Sequence, residues 1–280
     1  MQRHSQKLKR QLCFSLLALG STILALGFYS GLRITNYTFL SKNLPSAFHG
    51  FRIAFLTDLH CKRFGTHQKK LLNSIYSLNP DIIIFTGDMI DNQHPDLSPI
   101  CELLSGLSEK YPIYAVHGNH EFDNEKLYQK LMSYYEQYNV HLLNDEQIFI
   151  NPSGEAVSSF LEPCIGISGI SYRNHPTRQE ICPDRSKADF HLLLYHDALA
   201  FSWISELGYD LVLSGHVHAG AIRLPILGGV FSPEGTFFPT YDYGYFRENE
   251  STMFASSGLG DTVIPRFYNP PELVLITLSR

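Results

Sequence analysis

The sequence predicts an α/β domain preceded by one N-terminal apolar helix. Three observations lead there. From Phe51 onward, short β-rich apolar runs alternate with stretches of helical spacing. Their order, strand-helix-strand-helix-strand, implies parallel strands covered by helices. Ahead of them, residues 11–32 carry no charge at all.

Residues 1–10 form a basic tail with Arg3, Lys7, Lys9 and Arg10 and no acid. The 22 uncharged residues 11–32 reach across a ~30 Å hydrocarbon core as a helix, so they read as a transmembrane signal anchor. A cleaved signal peptide is the competing reading. Phe28 and Tyr29 stand where a small-x-small cleavage site is required, which favours the anchor. Positive charge is denser before this stretch than after it, where Arg33 and Lys42 stand. That asymmetry places the N-terminus in the cytoplasm and the globular part outside. Residues 33–50, with Pro45 and Gly50, read as a linker, and 51–280 as the globular domain.

Within that domain, 51–57 is a buried strand. Leu71, Leu72, Ile75 and Leu78 give 67–78 a helical stripe. Asn79-Pro80 opens a strand at 81–86; 97–108 is a helix and 112–116 a third strand. Residues 125–137 are helical, with Leu127 and Leu131 on one side. The stretch 140–170 reads as short strands with turns, and 171–189 as polar loop. A strand at 190–195, a helix at 198–207 and a strand at 209–213 follow. Then comes a Gly-, Pro- and aromatic-rich segment at 225–246, and final strands at 253–256 and 273–278.

Composition narrows the function. A net charge of −5 disfavours a nucleic-acid protein, which carries a basic surface. None of the five cysteines forms a C-x-x-C pair, which argues against a structural zinc knuckle, and the redox compartment stays open. Thirteen histidines in 280 residues invite a search for a metal site.

That search finds five blocks, each directly after an apolar run: Asp58-Leu59-His60, Gly87-Asp88, Gly118-Asn119-His120, His196, and Gly215-His216-Val217-His218. Singly, each has an ordinary explanation as a helix cap, a turn or a core histidine. Jointly, they put carboxylate, imidazole and amide at five successive strand ends, where open α/β sheets build their sites. In His216-Val217-His218, continued strand alternation makes the two imidazoles diverge, so that they can serve two ions. Nitrogen and oxygen donors without thiolate fit Mn, Fe or Zn. Two such ions about 3.5–4 Å apart clamp a phosphoryl group, and a bridging carboxylate is needed to hold them, for which Asp88 is the natural candidate. His120 follows a ligand in the chain and reaches substrate instead, to stabilise phosphoryl oxygens or protonate the leaving oxygen.

The block order Asp-x-His, Gly-Asp, Gly-Asn-His-Glu, His, Gly-His-x-His resembles the calcineurin-like metallophosphoesterase superfamily over essentially all of 51–280. The resemblance implies a four-layer α-β-β-α sandwich around two divalent metal ions. It assigns Asp58, His60 and His218 to the first metal, Asn119, His196 and His216 to the second, Asp88 to the bridge and His120 to catalysis. Glu121 stands where many members have Asp, and Val217 and Ala219 where a common subgroup has Thr and Gly; neither departure removes a ligand. The tail, with Ile222-Arg223-Leu224-Pro225, Gly258-Leu259-Gly260 and Asn269-Pro270-Pro271-Glu272, is similar to the membrane-anchored bacterial YkuE-type group, which the UDP-diacylglucosamine pyrophosphatases resemble. The resemblance thus implies a phosphorylated small-molecule or lipid-linked substrate at a membrane. The alternative is a catalytically silent scaffold binding a protein partner; it predicts lost ligands, and none is lost. Arg173, Arg223 and Arg266 read as phosphate clamps or as ordinary structural arginines, His117 as a core histidine, and His67 and His175 as unrelated to the centre.

Overall fold

The computed structural model describes the chain except residues 1, 160–161, 174–181, 225, 233–234 and 263, with residues 2–10 given as backbone only. His175 therefore lies outside the described residues. Helix α1 (Gln2–Gly27) leads into β1 (Arg33–Leu40). Then come β2 (Arg52–Leu56), α2 (Lys69–Leu78), β3 (Ile82–Phe85), α3 (Ser98–Leu107), β4 (Ile113–Ala115), α4 (Glu125–Gln137) and β5 (Val140–Leu142). Strands β6 (Glu146–Ile150), β7 (Ile165–Ile170) and β8 (His191–Asp197) follow, with the short α5 (Phe201–Ile204) and β9 (Leu211–Gly215). The chain ends through the small pair β10 (Arg223–Leu224) and β11 (Gly228–Gly229), then β12 (Gly244–Glu248), β13 (Ser251–Ala255) and β14 (Glu272–Ser279).

Two six-stranded mixed sheets result, in the orders β1-β14-β2-β3-β4-β5 and β12-β13-β9-β8-β7-β6. The apolar runs are continuous because both faces of the strands are covered. In β2, Ile53 and Phe55 point at the other sheet, where they meet Ile167, Leu192, Leu194 and Leu213. Ala54 and Leu56 point the opposite way, onto Leu71 and Ile75 of α2 and Leu103 of α3. On the far side, Leu193 and Val212 pack under Phe201 and Ile204 of α5. The fold is thus mixed α/β with two sheets, helices α2 and α3 on the outside of the first and the short α5 on the outside of the second.

Two sequence expectations change. Residues 33–40 are not a linker. They form β1, paired in parallel with β14 from Arg33↔Glu272 to Leu40↔Ser279. The inward face of this strand is Arg33, Thr35, Tyr37 and Phe39, too polar to read as a buried strand. The transmembrane segment expected over 11–32 is met only in part: helix α1 is present, and among the described residues no helix is long and apolar enough to cross a membrane. The uncharged part of α1 ends at Gly27, whose carbonyl accepts the backbone N–H of Tyr268 at 2.6 Å. Phe267 packs edge-on against Phe28 (5.0 Å between centroids), and the Tyr268 hydroxyl donates to Ile23 O at 2.8 Å, so the C-terminal loop grips the end of this helix.

Candidate metal centre

Strands β2, β3 and β4 of the first sheet and β8 and β9 of the second end at one edge of the sandwich. There the five sequence blocks meet. Asp58, His60 and His218 form one group and Asp88, His196 and His216 another, with the donor atoms of each group within 4.8 Å of one another. His60 Nε2 lies 3.1 Å from His218 Nε2, and His218 Nε2 lies 3.5 Å from Asp58 Oδ1. In the second group, His216 Nδ1 is 3.2 Å from His196 Nε2, which is 3.1 Å from Asp88 Oδ2. That same Asp88 oxygen is 3.8 Å from His60 Nε2, so it faces both groups.

The turns that deliver these side chains are unusual. Asp58, His60, Asp88, His216 and His218 all have left-handed backbone, with φ between 47° and 71°. Asp and His tolerate this region better than most residues, at a cost of order 1–3 kcal/mol each, and such positions cluster at functional sites. His216 and His218 therefore diverge because β9 stops at Gly215 and the chain turns, not because strand alternation continues. His196 is reached differently. It lies inside β8, at a register shift between Leu194 and Asp197 that re-aims its ring. Glycines leave room: a Cβ on Gly118 would stand 2.3 Å from Asp88 Oδ1, and one on Gly215 2.3 Å from Asp58 Oδ2.

A surrounding set of hydrogen bonds orients the donors. Thr57 Oγ1 donates to Asp58 Oδ2 at 2.8 Å, and the His216 N–H donates to Asp58. His196 Nδ1 lies 2.7 Å from the Thr86 carbonyl, which fixes the ring and turns Nε2 to the centre. The His120 N–H donates to Asp88 Oδ1 at 2.8 Å. Burial alone would raise the Asp88 carboxyl. The charge and hydrogen bond of His196, with His60 and His120 nearby, hold it far below the usual carboxylate range instead. His196 mirrors this: burial opposes its charge, but Asp88 and Asp58 raise it to about 10. Burial depresses His60 and, reinforced by His60 and Arg266, His218.

The donor set fits a pair of divalent cations on one independent observation. Asn119 Oδ1 is buried and has no hydrogen-bond partner among the described residues, a state that a buried carbonyl oxygen avoids unless a cation or water meets it. His120 stands on the open side, where it lines a cavity of about 600 Å³ together with His60, His218, Asp91, Lys62 and Phe231. Its Nε2 is 4.0 Å from Asp88 Oδ2.

Asp91 and Asp123 escape the sequence reading, and Glu121 and Arg266, which it names, take roles here that it does not give them. Asp91 is buried and lies 3.7 Å from His120 Nδ1, while the more exposed Asp123 lies 3.2 Å from it. The Gly-Asp-x-x-Asp spacing was the available signal for Asp91. Glu121 is buried and accepts the N–H groups of Asp88 (2.9 Å), Met89 (2.7 Å) and Gly118 (2.7 Å), tying the two ligand turns together. Burial and the Asp88 charge push its carboxyl up to about 7. Arg266 places Nη2 3.2 Å from His218 Nδ1. Of the other arginines, Arg223 pairs with Asp242 at 2.7 Å and Arg173 covers the Phe122 ring; neither reaches the centre. His117 packs among Phe122 and Tyr128, and His67 pairs with Glu102 on the surface.

The sequence model of one family, described as calcineurin-like phosphoesterase, matches residues 51–220. The metallophosphoesterase YkuE of Bacillus subtilis (strain 168) is 28% identical over 260 residues, covering 88% of this chain and 85% of its own. Phosphodiesterase YaeI of Escherichia coli (strain K12) is 25% identical, with 81% and 82% covered. The UDP-2,3-diacylglucosamine pyrophosphatase LpxG of Chlamydia trachomatis serovar D is 24% identical, with 88% of each chain covered.

Proposed function

The chain belongs to the calcineurin-like phosphoesterase family, hydrolases that use two divalent metal ions, and from that premise we propose that it cleaves a phosphodiester or pyrophosphate bond at the strand-end centre. In this reading Asp58, His60 and His218 hold one ion, Asn119, His196 and His216 the other, and Asp88 lies between them. Two cations so held supply Lewis-acid charge for the phosphoryl oxygens and for the attacking water. His120, on the cavity wall beside the Asp88 carboxylate, gives the leaving oxygen its proton or steadies charge on the phosphoryl group. The Asp91 and Asp123 carboxylates flank its Nδ1 at 3.7 and 3.2 Å. The observation that carries the reading is the single Asp88 oxygen facing both donor groups while the Asn119 carbonyl oxygen is left unpaired.

The substrate is an amphiphile handled at a membrane. Supporting this are the apolar surface of α1, the cavity, larger than a bare phosphate needs, and the likeness to a pyrophosphatase named for a diacylated sugar nucleotide. In this reading α1 holds the domain against the bilayer. The test is hydrolysis by the full chain in detergent with Mn²⁺, offered an aryl phosphodiester, a sugar-nucleotide pyrophosphate and a phosphomonoester. Turnover of one of the first two that vanishes in Asp88→Asn and His120→Ala is expected. A folded, metal-loaded chain that turns over none of them overturns the proposal.

A further inference from the structure

The segment between β10 and β12 carries a second apolar surface that the catalytic reading does not use. Ile226 is fully exposed, and Leu227, Phe237 and Phe238 are 62%, 68% and 56% exposed. In 222–238 the sequence carries two charged residues, Arg223 and Glu234, and Asp242 binds the Arg223 charge. Ile226 and Phe238 also have positive φ, 72° and 50°. For a β-branched residue such as Ile226 this conformation is a genuine outlier, here holding an apolar side chain out into solvent.

Two contacts tie this lobe to its neighbours. On one side, Phe267 pairs with Ile222 through the backbone, and the Arg223 N–H donates to Phe267 O at 2.9 Å. The same Phe267 ring packs against Phe28 at the end of α1. On the other side, Phe237 packs on Phe231 (5.1 Å), and Phe231 lines the cavity above the metal centre. Apolar surface is therefore continuous from α1, through Phe28 and Phe267, to the lobe and the cavity mouth.

The occupant follows from α1. Leu12, Phe14, Leu16, Leu17, Leu24 and Leu26 are all exposed and spread around most of the helix circumference, so no single groove of a protein partner covers them; hydrocarbon does. The N-terminal turns of the helix carry Arg3, Lys7, Lys9 and Arg10, which complement an anionic lipid surface. We propose that the 224–238 lobe is a second membrane-contact element that seats in the interfacial layer of a bilayer beside α1 and turns the cavity mouth to the lipid. This rests on the reading that α1 meets the membrane. The lobe lies in the interface plane, as amphipathic anchors do, and an amphiphile then enters the cavity along Phe237 and Phe231 without leaving the lipid.

The experiment uses the full chain bound to phosphatidylcholine–phosphatidylglycerol vesicles. Trp203 is the chain's one tryptophan, so Phe238→Trp in a Trp203→Phe background reports on the lobe alone. With acyl-chain-brominated lipid, emission is expected to be roughly halved and shifted to the blue, as for a ring at the acyl boundary. Adding Ile226→Glu and Leu227→Glu is expected to abolish the quenching while turnover of a water-soluble aryl phosphodiester is unchanged. A chain that floats with vesicles but shows no quenching at position 238 overturns this proposal alone. A chain that does not float overturns the membrane reading and this one with it. Turnover of the soluble ester continues in both cases, so neither result touches the hydrolytic assignment.

Discussion

Arg266 lays its Nη2 3.2 Å from Nδ1 of His218, and three residues later Asn269 donates Nδ2 to the His218 carbonyl at 2.6 Å. Between these two inward contacts, Phe267 and Tyr268 face outward and hold the end of α1. One four-residue stretch thus touches both a candidate ligand and the N-terminal helix. Asn269→Leu removes the donor to the carbonyls of His218 and Ala221 and leaves them buried. A loss of about 1–3 kcal/mol is expected, read as a lower melting temperature by calorimetry. Metal titration should weaken in the same variant, because His218 loses its main-chain restraint.

Glu121 should behave as a scaffold for the ligand turns. In Glu121→Gln, one acceptor oxygen remains, and an NH₂ group faces main-chain N–H groups that need acceptors. The expected cost is again about 1–3 kcal/mol, seen as an earlier urea midpoint with an unchanged slope. Wild-type stability with a Gln at this position would remove Glu121 from that role.

His120 and Asp88 separate by metal content. His120→Ala is expected to keep both ions by elemental analysis yet lose roughly 10²–10⁴ in kcat, the usual worth of a positioned acid or base. Asp88→Asn is expected to lose metal as well as activity. Chelation of the wild type should lower its melting temperature, since a ligand present at about 100 times its Kd stabilises by ~2.7 kcal/mol. Equal melting with and without chelator would count against a metal centre.

His117 supplies a pH dependence. Burial, with Arg173 adding to it, pushes its pKa down to about 4. Below the unfolded value of ~6.5 the unfolded chain binds the proton and the folded chain does not, so stability falls as pH drops from there to about 4. The slope from this one group is at most ~1.4 kcal/mol per pH unit. His117→Phe keeps the ring contacts with Phe122 and Tyr128 and should flatten the urea stability profile over that window, with little change at pH 7. An unaltered profile would exclude His117 as the source.

The parts of the fold legible in the sequence were those set by local pattern. Apolar runs such as Ile82–Phe85 give strands because both faces are buried, and Asp58, Asp88 and Asn119 follow such runs directly. The missed parts depend on distant partners. Strand β1 looks like a polar connector until β14 arrives beside it, over 230 residues on. Glu121 is read through N–H groups about 30 residues earlier, and Arg266 through a histidine 48 residues before it. The helix expected at 198–207 is a single 3-10 turn at Ala198–Ala200 followed by Phe201–Ile204.

Because the Glu121 carboxylate stitches the turn after β3 to the turn after β4, Asp88 and Asn119 are brought into register by folding itself. A cation arriving there would find these two donors already ordered. That would spare even a weakly held ion such as Mn²⁺, near the bottom of the usual affinity series, part of the ordering cost of binding.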